Sequence, residues 1–160
     1  MVYEIYTDGA CAEGYISAAY FIRSRRKVYE KGVAVYKGKS SAVAETVAIG
    51  LAVEKLLKCC RVSPDDTVRI ITDSKSSIEF LDSALHDSLG GFRGTLDKRA
   101  WLAWEVVRDL AAFYHTELHK VNAHGVFING NVVVDRLAKL GLRQAVLKAS
   151  DKKEKYEEAI

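Results

Sequence analysis

The stretch VYEIYTDGACAEGYISAAYFIRSRRKVYEKGVAVY, residues 2–36, decides how the rest of the chain is read. Residues 2–8 alternate and are rich in β-forming side chains, which predicts a strand ending at Asp8-Gly9. A short turn over Ala10 to Gly14 leads to a second strand at about 15–23. The basic run Arg23 to Lys27 is a further turn, and a third strand covers about 28–36. Three strands with short polar connections make an antiparallel meander.

The period then changes. From Ser41 to Cys60 the apolar residues Val43, Val47, Leu51 and Ile49, Val53, Leu56, Leu57 recur at helical spacing, with Ser40 or Ser41 placed to cap the start. Pro64 and Asp65-Asp66 break the chain, TVRIIT (67–72) predicts a fourth strand, and Ser74 to Leu85 a helix. Gly90, Gly91 and Gly94 mark a loop over 86–97. A helix over about 98–114 carries Trp101 and Trp104, which read as core or groove-lining side chains. Residues 116–123 alternate as a fifth strand, and a glycine-containing segment, His124 to Gly130, precedes a last helix from near Asn131 to about Ala149. The order is α/β: a mixed sheet with helices on its faces. The expected organisation is one domain over 1–149 with a charged, loosely helical tail at 150–160.

The composition bounds the class. With 160 residues, 49% hydrophobic and 28% charged, the chain can bury roughly 70% of its unfolded surface and is neither disordered nor low in complexity. No apolar run nears the roughly eighteen residues of a transmembrane helix, and the acid at Glu4 argues against a signal peptide. A cytoplasmic protein with no membrane partner is expected, a monomer without an obligatory protein partner. The formal charge of +3 permits nucleic acid without demanding it. Three cysteines (Cys11 and the vicinal pair Cys59-Cys60), an odd number with no C-x-x-C, argue against a disulfide framework or zinc knuckle and read as small hydrophobes.

Four acids carry the chemical argument. Each alone has an ordinary explanation: Asp8-Gly9 is a turn dipeptide, Asp73 could cap the next helix, and Glu45 and Asp135 fall where a helix dipole favours acids. Together they point elsewhere. In open α/β sheets, ligand sites lie beyond the carboxyl ends of parallel strands and at helix N-termini. Asp73 ends a strand suited to pair in parallel with the first, beside Asp8, and Glu45 and Asp135 begin helices that can pack on that edge. Four converging carboxylates need a counter-charge, and an all-oxygen set suits two Mg²⁺ ions, with Mn²⁺ able to substitute.

With these residues in place, the chain resembles the ribonuclease H type 1 family. The resemblance lies in Ile5 to Ala10, Ala44-Glu45, Ile71-Thr72-Asp73-Ser74, Val121 to His124 and Asn131 to Lys139, in order and over nearly the whole chain. It implies a ribonuclease H-like fold, a five-stranded sheet with the first three strands antiparallel. It also implies a two-metal endonuclease cutting the RNA strand of an RNA/DNA hybrid. Asp8, Glu45, Asp73 and Asp135 would then be the metal-binding carboxylates, and His124 would assist proton transfer or product release. Gly9, Cys11, Ser40, Ser41, Ser74 and Asn131 would meet the nucleic acid.

The chain departs from the family around that substrate. The turn after Asp8 is short and carries Glu13, Ser40-Ser41-Ala42 stands where paired asparagines are usual, and 86–100 is only weakly basic. These departures leave open a relative acting on DNA, of resolvase or transposase kind, or a catalytically silent nucleic-acid-binding module. An exonuclease of this fold fits poorly, because Gly9-Ala10 follows Asp8 where a second acid is needed. A receiver-type signalling domain is disfavoured by the antiparallel opening.

Overall fold

The computed structural model describes residues 1–86, 97–122 and 130–158. The elements in chain order are β1 (Val2–Ala12), β2 (Tyr15–Arg23), β3 (Val28–Lys37), α1 (Ser41–Cys59), β4 (Thr67–Thr72), α2 (Lys75–Leu85), α3 (Lys98–Phe113), β5 (His115–Lys120) and α4 (Gly130–Glu158). The strands form one sheet in the order β3-β2-β1-β4-β5. β1 and β3 each run antiparallel to β2, whereas β4 is parallel to both β1 and β5. This is the mixed five-stranded sheet expected from the alternation of residues 2–36 and the helix-separated strands after it.

Three bounds differ from the sequence reading, one of them that of β5, expected over 116–123 but ending at Lys120. β1 does not end at Asp8-Gly9 but continues to Ala12, which pairs with Tyr15 across a two-residue turn at Glu13-Gly14. Both turn residues have positive φ, 51° at Glu13 and 84° at Gly14, the backbone that matches the twist of a tight hairpin. At the other end, α4 does not stop near Ala149 but runs on to Glu158. Residues 87–96 and 123–129, which include most of the two expected glycine-containing loops, lie outside the described residues.

The larger core lies on the α1 face of the sheet. Tyr3 and Ile5 of β1, Tyr20 and Ile22 of β2, and Val68 and Ile70 of β4 pack against Ile49, Val53 and Leu56 of α1, with Trp104, Val107 and Leu110 of α3 closing the outside. Trp104 is buried, and its Nε1–H donates to Ser83 Oγ at 2.8 Å, so it serves the core as expected. On the opposite face Tyr6, Ala19, Phe21 and Ile71 meet Val134 and Ala138 of α4. That helix is held to β2 by the Ser17 hydroxyl, which donates to the Ala138 carbonyl at 2.6 Å. No helix among the described residues is long and apolar enough to cross a membrane.

The packing of α1 on α3 depends on a glycine inside a helix, where propensity alone would favour alanine by about 1 kcal/mol. A Cβ at Gly50 would lie 2.9 Å from both Cα and Cβ of Ala103. Gly50→Ala therefore gains propensity but forces two helices apart, at a cost of about 1–3 kcal/mol. The expected result is a net loss of stability, with Tm lowered by a few degrees in thermal unfolding. A raised Tm would contradict the close helix contact.

Candidate active site

β1 is longer than the strand beside it. It pairs with β4 only over Val2–Tyr6, while its pairing with β2 continues to Ala12. From Thr7 onward the β4 side of β1 is open, and Asp73, the residue after β4, stands at the mouth of that notch. Asp8 projects from the open part and is only 5% exposed. Its Oδ1 accepts a hydrogen bond from the Gly9 N–H at 2.8 Å.

Glu45 reaches the same notch because α1 comes very close to β1. A Cβ at Gly9 would lie 2.4 Å from the Ala44 carbonyl carbon and from the Glu45 nitrogen, so no other residue fits there without moving the helix. The Ser40 hydroxyl caps α1 by accepting from the Val43 N–H at 3.2 Å. Glu45 is thus the fifth helical residue, beyond the first turn where the dipole acts most strongly, which weakens the ordinary explanation of its charge. The ordinary explanation of Asp73 also falls away, since Ser74, not Asp73, caps α2 by accepting from the Ser77 N–H at 3.2 Å.

One carboxylate oxygen from each of Asp8, Glu45 and Asp73 lies within 4.8 Å of the others. At that range each pair of ionised groups repels by about 3–4 kcal/mol at an effective dielectric constant near 20. The acids respond accordingly. Burial first, then the charge of Asp73, push the Asp8 carboxyl up from 3.8 to about 7. Burial likewise raises Glu45, opposed by a hydrogen bond from Ser74. Asp73 is raised by burial and by the negative charge of Asp135, and is lowered by its own backbone N–H and by Lys120. Asp135, on α4, adds its field to Asp8 and Asp73, but its Oδ2 is held by Lys139 Nζ at 3.0 Å.

Two features here are not apparent from sequence motifs. Lys120 faces the acids because β5 pairs in parallel with β4, setting it opposite Thr72. Only the register reveals that. Hydroxyls also tie α1 to the start of α2: Thr46 Oγ1 and Ser77 Oγ are 3.1 Å apart, and Ser77 Oγ lies 3.0 Å from Ser74 Oγ. Thr46 stands next to Glu45 and Ser77 three after Ser74, but no local pattern shows that the two hydroxyls meet.

The remaining expected residues are spread around this cluster. Gly9 and Ser74 belong to it directly. Cys11 is half-buried further along β1, Ser40 and Ser41 are exposed at the start of α1, and Asn131 is buried at the start of α4. His124 lies outside the described residues. Among the described residues the donor set is all carboxylate, partly desolvated and short of positive charge, which fits a hard divalent cation better than a softer one.

Comparisons with known proteins bear on the family and the fold. The family model described as RNase H matches residues 1–143. Among solved structures, the chain is similar to RNase H1 from the halophilic archaeon Halobacterium salinarum NRC-1, with a TM-score of 0.65 and 16% identity over 90% of this chain and 99% of that one. It is also similar to the N-terminal RNase H domain of Rv2228c from Mycobacterium tuberculosis, solved as a fusion with maltose-binding protein. There the TM-score is 0.68 at 16% identity, over 92% of this chain and 98% of that one. No curated protein sequence matches the chain.

The Asp8 shift has a consequence for the metal-free protein. Between about pH 4 and pH 7 the folded state keeps a proton that the unfolded state releases, so this group's contribution to stability falls as pH rises through that window. Asp8→Asn removes the penalty while keeping an oxygen for the Gly9 N–H. In EDTA at pH 8 the variant is expected to be more stable than the parent by about 1–3 kcal/mol, within the ceiling set by 1.36 kcal/mol per pKa unit. The difference should vanish by pH 4. Denaturant unfolding at the two pH values checks this, and equal stabilities at pH 8 would contradict it.

Proposed function

This chain belongs to the RNase H family, and from that premise we propose that it is a divalent-metal-dependent endonuclease hydrolysing the RNA strand of RNA/DNA hybrids. The observation that carries the reading is the convergence of Asp8, Glu45 and Asp73 within 4.8 Å in a notch with little positive charge among the described residues.

In this proposal Asp8, Glu45, Asp73 and Asp135 hold two Mg²⁺ ions, for which Mn²⁺ can substitute. Bound cations of this kind lower the pKa of water and neutralise charge developing on a phosphodiester. The chain's own residues do the rest. Asp8 is anchored through Gly9, and Glu45 through Ser74, so the carboxylates keep their spacing without a side chain having to be ordered on binding. Lys139 balances Asp135, and Lys120 balances Asp73, which limits repulsion without filling the notch. His124, six positions before α4, is assigned a proton-transfer role.

Substrate contacts are proposed for Gly9, Cys11, Ser40, Ser41, Ser74 and Asn131, which flank the acids on β1, α1, α2 and α4. Ser40 already gives its oxygen to the Val43 N–H, leaving its hydroxyl proton for a phosphate or a 2′-hydroxyl. The reading further implies a protein acting as a monomer in the cytoplasm.

The test is cleavage of a labelled RNA/DNA hybrid beside RNA/RNA and DNA/DNA duplexes, with Mg²⁺, with Mn²⁺ and with EDTA. Cutting of the RNA strand of the hybrid alone is expected, dependent on either metal. Asp73→Asn should slow it by roughly 10²–10³-fold, the scale for losing one charge-stabilising group. Cutting of DNA would keep the metal site and overturn the substrate. Intact hybrid binding without any cutting would overturn the enzyme.

A further inference from the structure

The sulfurs of Cys59 and Cys60, at the end of α1 away from Glu45, are 3.4 Å apart. Cys59 lies fourteen helical steps beyond Glu45, about 21 Å at 1.5 Å per residue, so this pair has no part in the acid notch. Cys59 is exposed and Cys60 half-buried, packed against the core that holds Tyr3 and Leu56. The backbone beneath them is fixed. The Cys60 N–H closes the helix by donating to the Leu56 carbonyl at 3.0 Å, and the Cys59 thiol points at the same oxygen from 3.8 Å.

The spacing discriminates among the things two thiols can do. A disulfide needs Cα atoms roughly 4.4–6.8 Å apart and sulfurs at about 2.05 Å. Consecutive residues across a trans peptide have Cα atoms about 3.8 Å apart, so closing the bond would distort the helix cap. A linear two-coordinate ion with bonds of about 2.3 Å would spread the sulfurs to about 4.6 Å, and a tetrahedral one to about 3.8 Å. A pyramidal three-coordinate centre, with a smaller angle between its bonds to sulfur, draws them closer than either. Of the three it comes nearest to sulfurs already at 3.4 Å.

Charge favours the same class. Burial and the neighbouring Cys59 push the Cys60 thiol up to about 12, so a thiolate is costly there. A soft cation held by two thiolates depends on that charge, whereas a metalloid forming neutral covalent bonds to both sulfurs does not.

We infer that Cys59 and Cys60 form a chelating site for trivalent metalloids of the arsenic(III) class. With a monosubstituted arsenical oxide, two S–H bonds and the arsenic–oxygen bond break and two S–As bonds form. Both thiol hydrogens leave with the oxygen as one water, arsenic stays trivalent and no sulfur is oxidised. This site goes beyond hybrid cleavage and does not rest on it.

The experiment treats the full chain with phenylarsine oxide in the presence of a competing monothiol, followed by intact mass measurement and peptide mapping. One adduct per chain is expected, mapped to the fragment holding residues 59 and 60. It should resist the monothiol at least about a hundredfold better than in Cys59→Ser or Cys60→Ser, the gain of a second, intramolecular bond. Cys11→Ser should keep it unchanged. An adduct that washes out of the native chain, maps elsewhere, or persists equally in either single variant would overturn the site. Mapping on the native chain keeps the result decisive even if a serine variant folds poorly.

Discussion

At Gly9 the backbone of β1 lies against the backbone of α1 so closely that even a methyl group would meet it at 2.4 Å. That contact brings the start of a helix to the middle of a strand, where helix and sheet would otherwise be separated by a layer of side chains. Glu45 follows directly on Ala44, whose carbonyl carbon makes the contact, so the glycine determines how near the helix acid comes to Asp8. The shorter β4 completes the arrangement by ending its pairing at Tyr6 and leaving Asp73 across the gap. Three carboxylates on three elements are thus set by backbone geometry, and side-chain freedom enters only at the last bond.

The fold tolerates this repulsion because the rest of the molecule is well provided with apolar contact. Tyr3, Ile5, Val68 and Ile70 lie three to five residues along their strands from the acids and are buried against α1. Asp8 is itself desolvated by burial, which raises the cost of its charge. Lys139 and Lys120 offset part of that cost at the margins, beside Asp135 and Asp73, leaving Asp8 and Glu45 without a cation among the described residues. A divalent cation is the simplest species that would relieve both.

Much of the fold was legible because hydrophobic period and burial coincide. TVRIIT reads as a strand and is one, and the apolar spacing from Ser41 finds α1 to within a residue. The misreadings share a cause: local chemistry has more than one use. Asp8-Gly9 reads as a turn, but the glycine is needed for helix approach and the strand runs through it to a hairpin at Glu13-Gly14. The residues after Ala149 read as a loosely helical tail because they are charged. Lys, Glu and Ala are also good helix formers, and α4 continues through them. At the site, the acids were visible as a set, while Lys120 and the Thr46–Ser77 link depend on strand register and helix packing that no local pattern encodes.

Everything proposed for the notch rests on its affinity for a divalent cation, and the location of that cation can be measured without substrate. Substoichiometric Mn²⁺ added to isotope-labelled protein broadens amide resonances in proportion to their nearness to the ion. Broadening should be greatest at Asp8, Gly9, Glu45, Asp73 and Ser74, fall away toward Cys59, and be displaced by excess Mg²⁺. Broadening centred on other acids, or spread evenly over the surface, would contradict a metal centre in this notch.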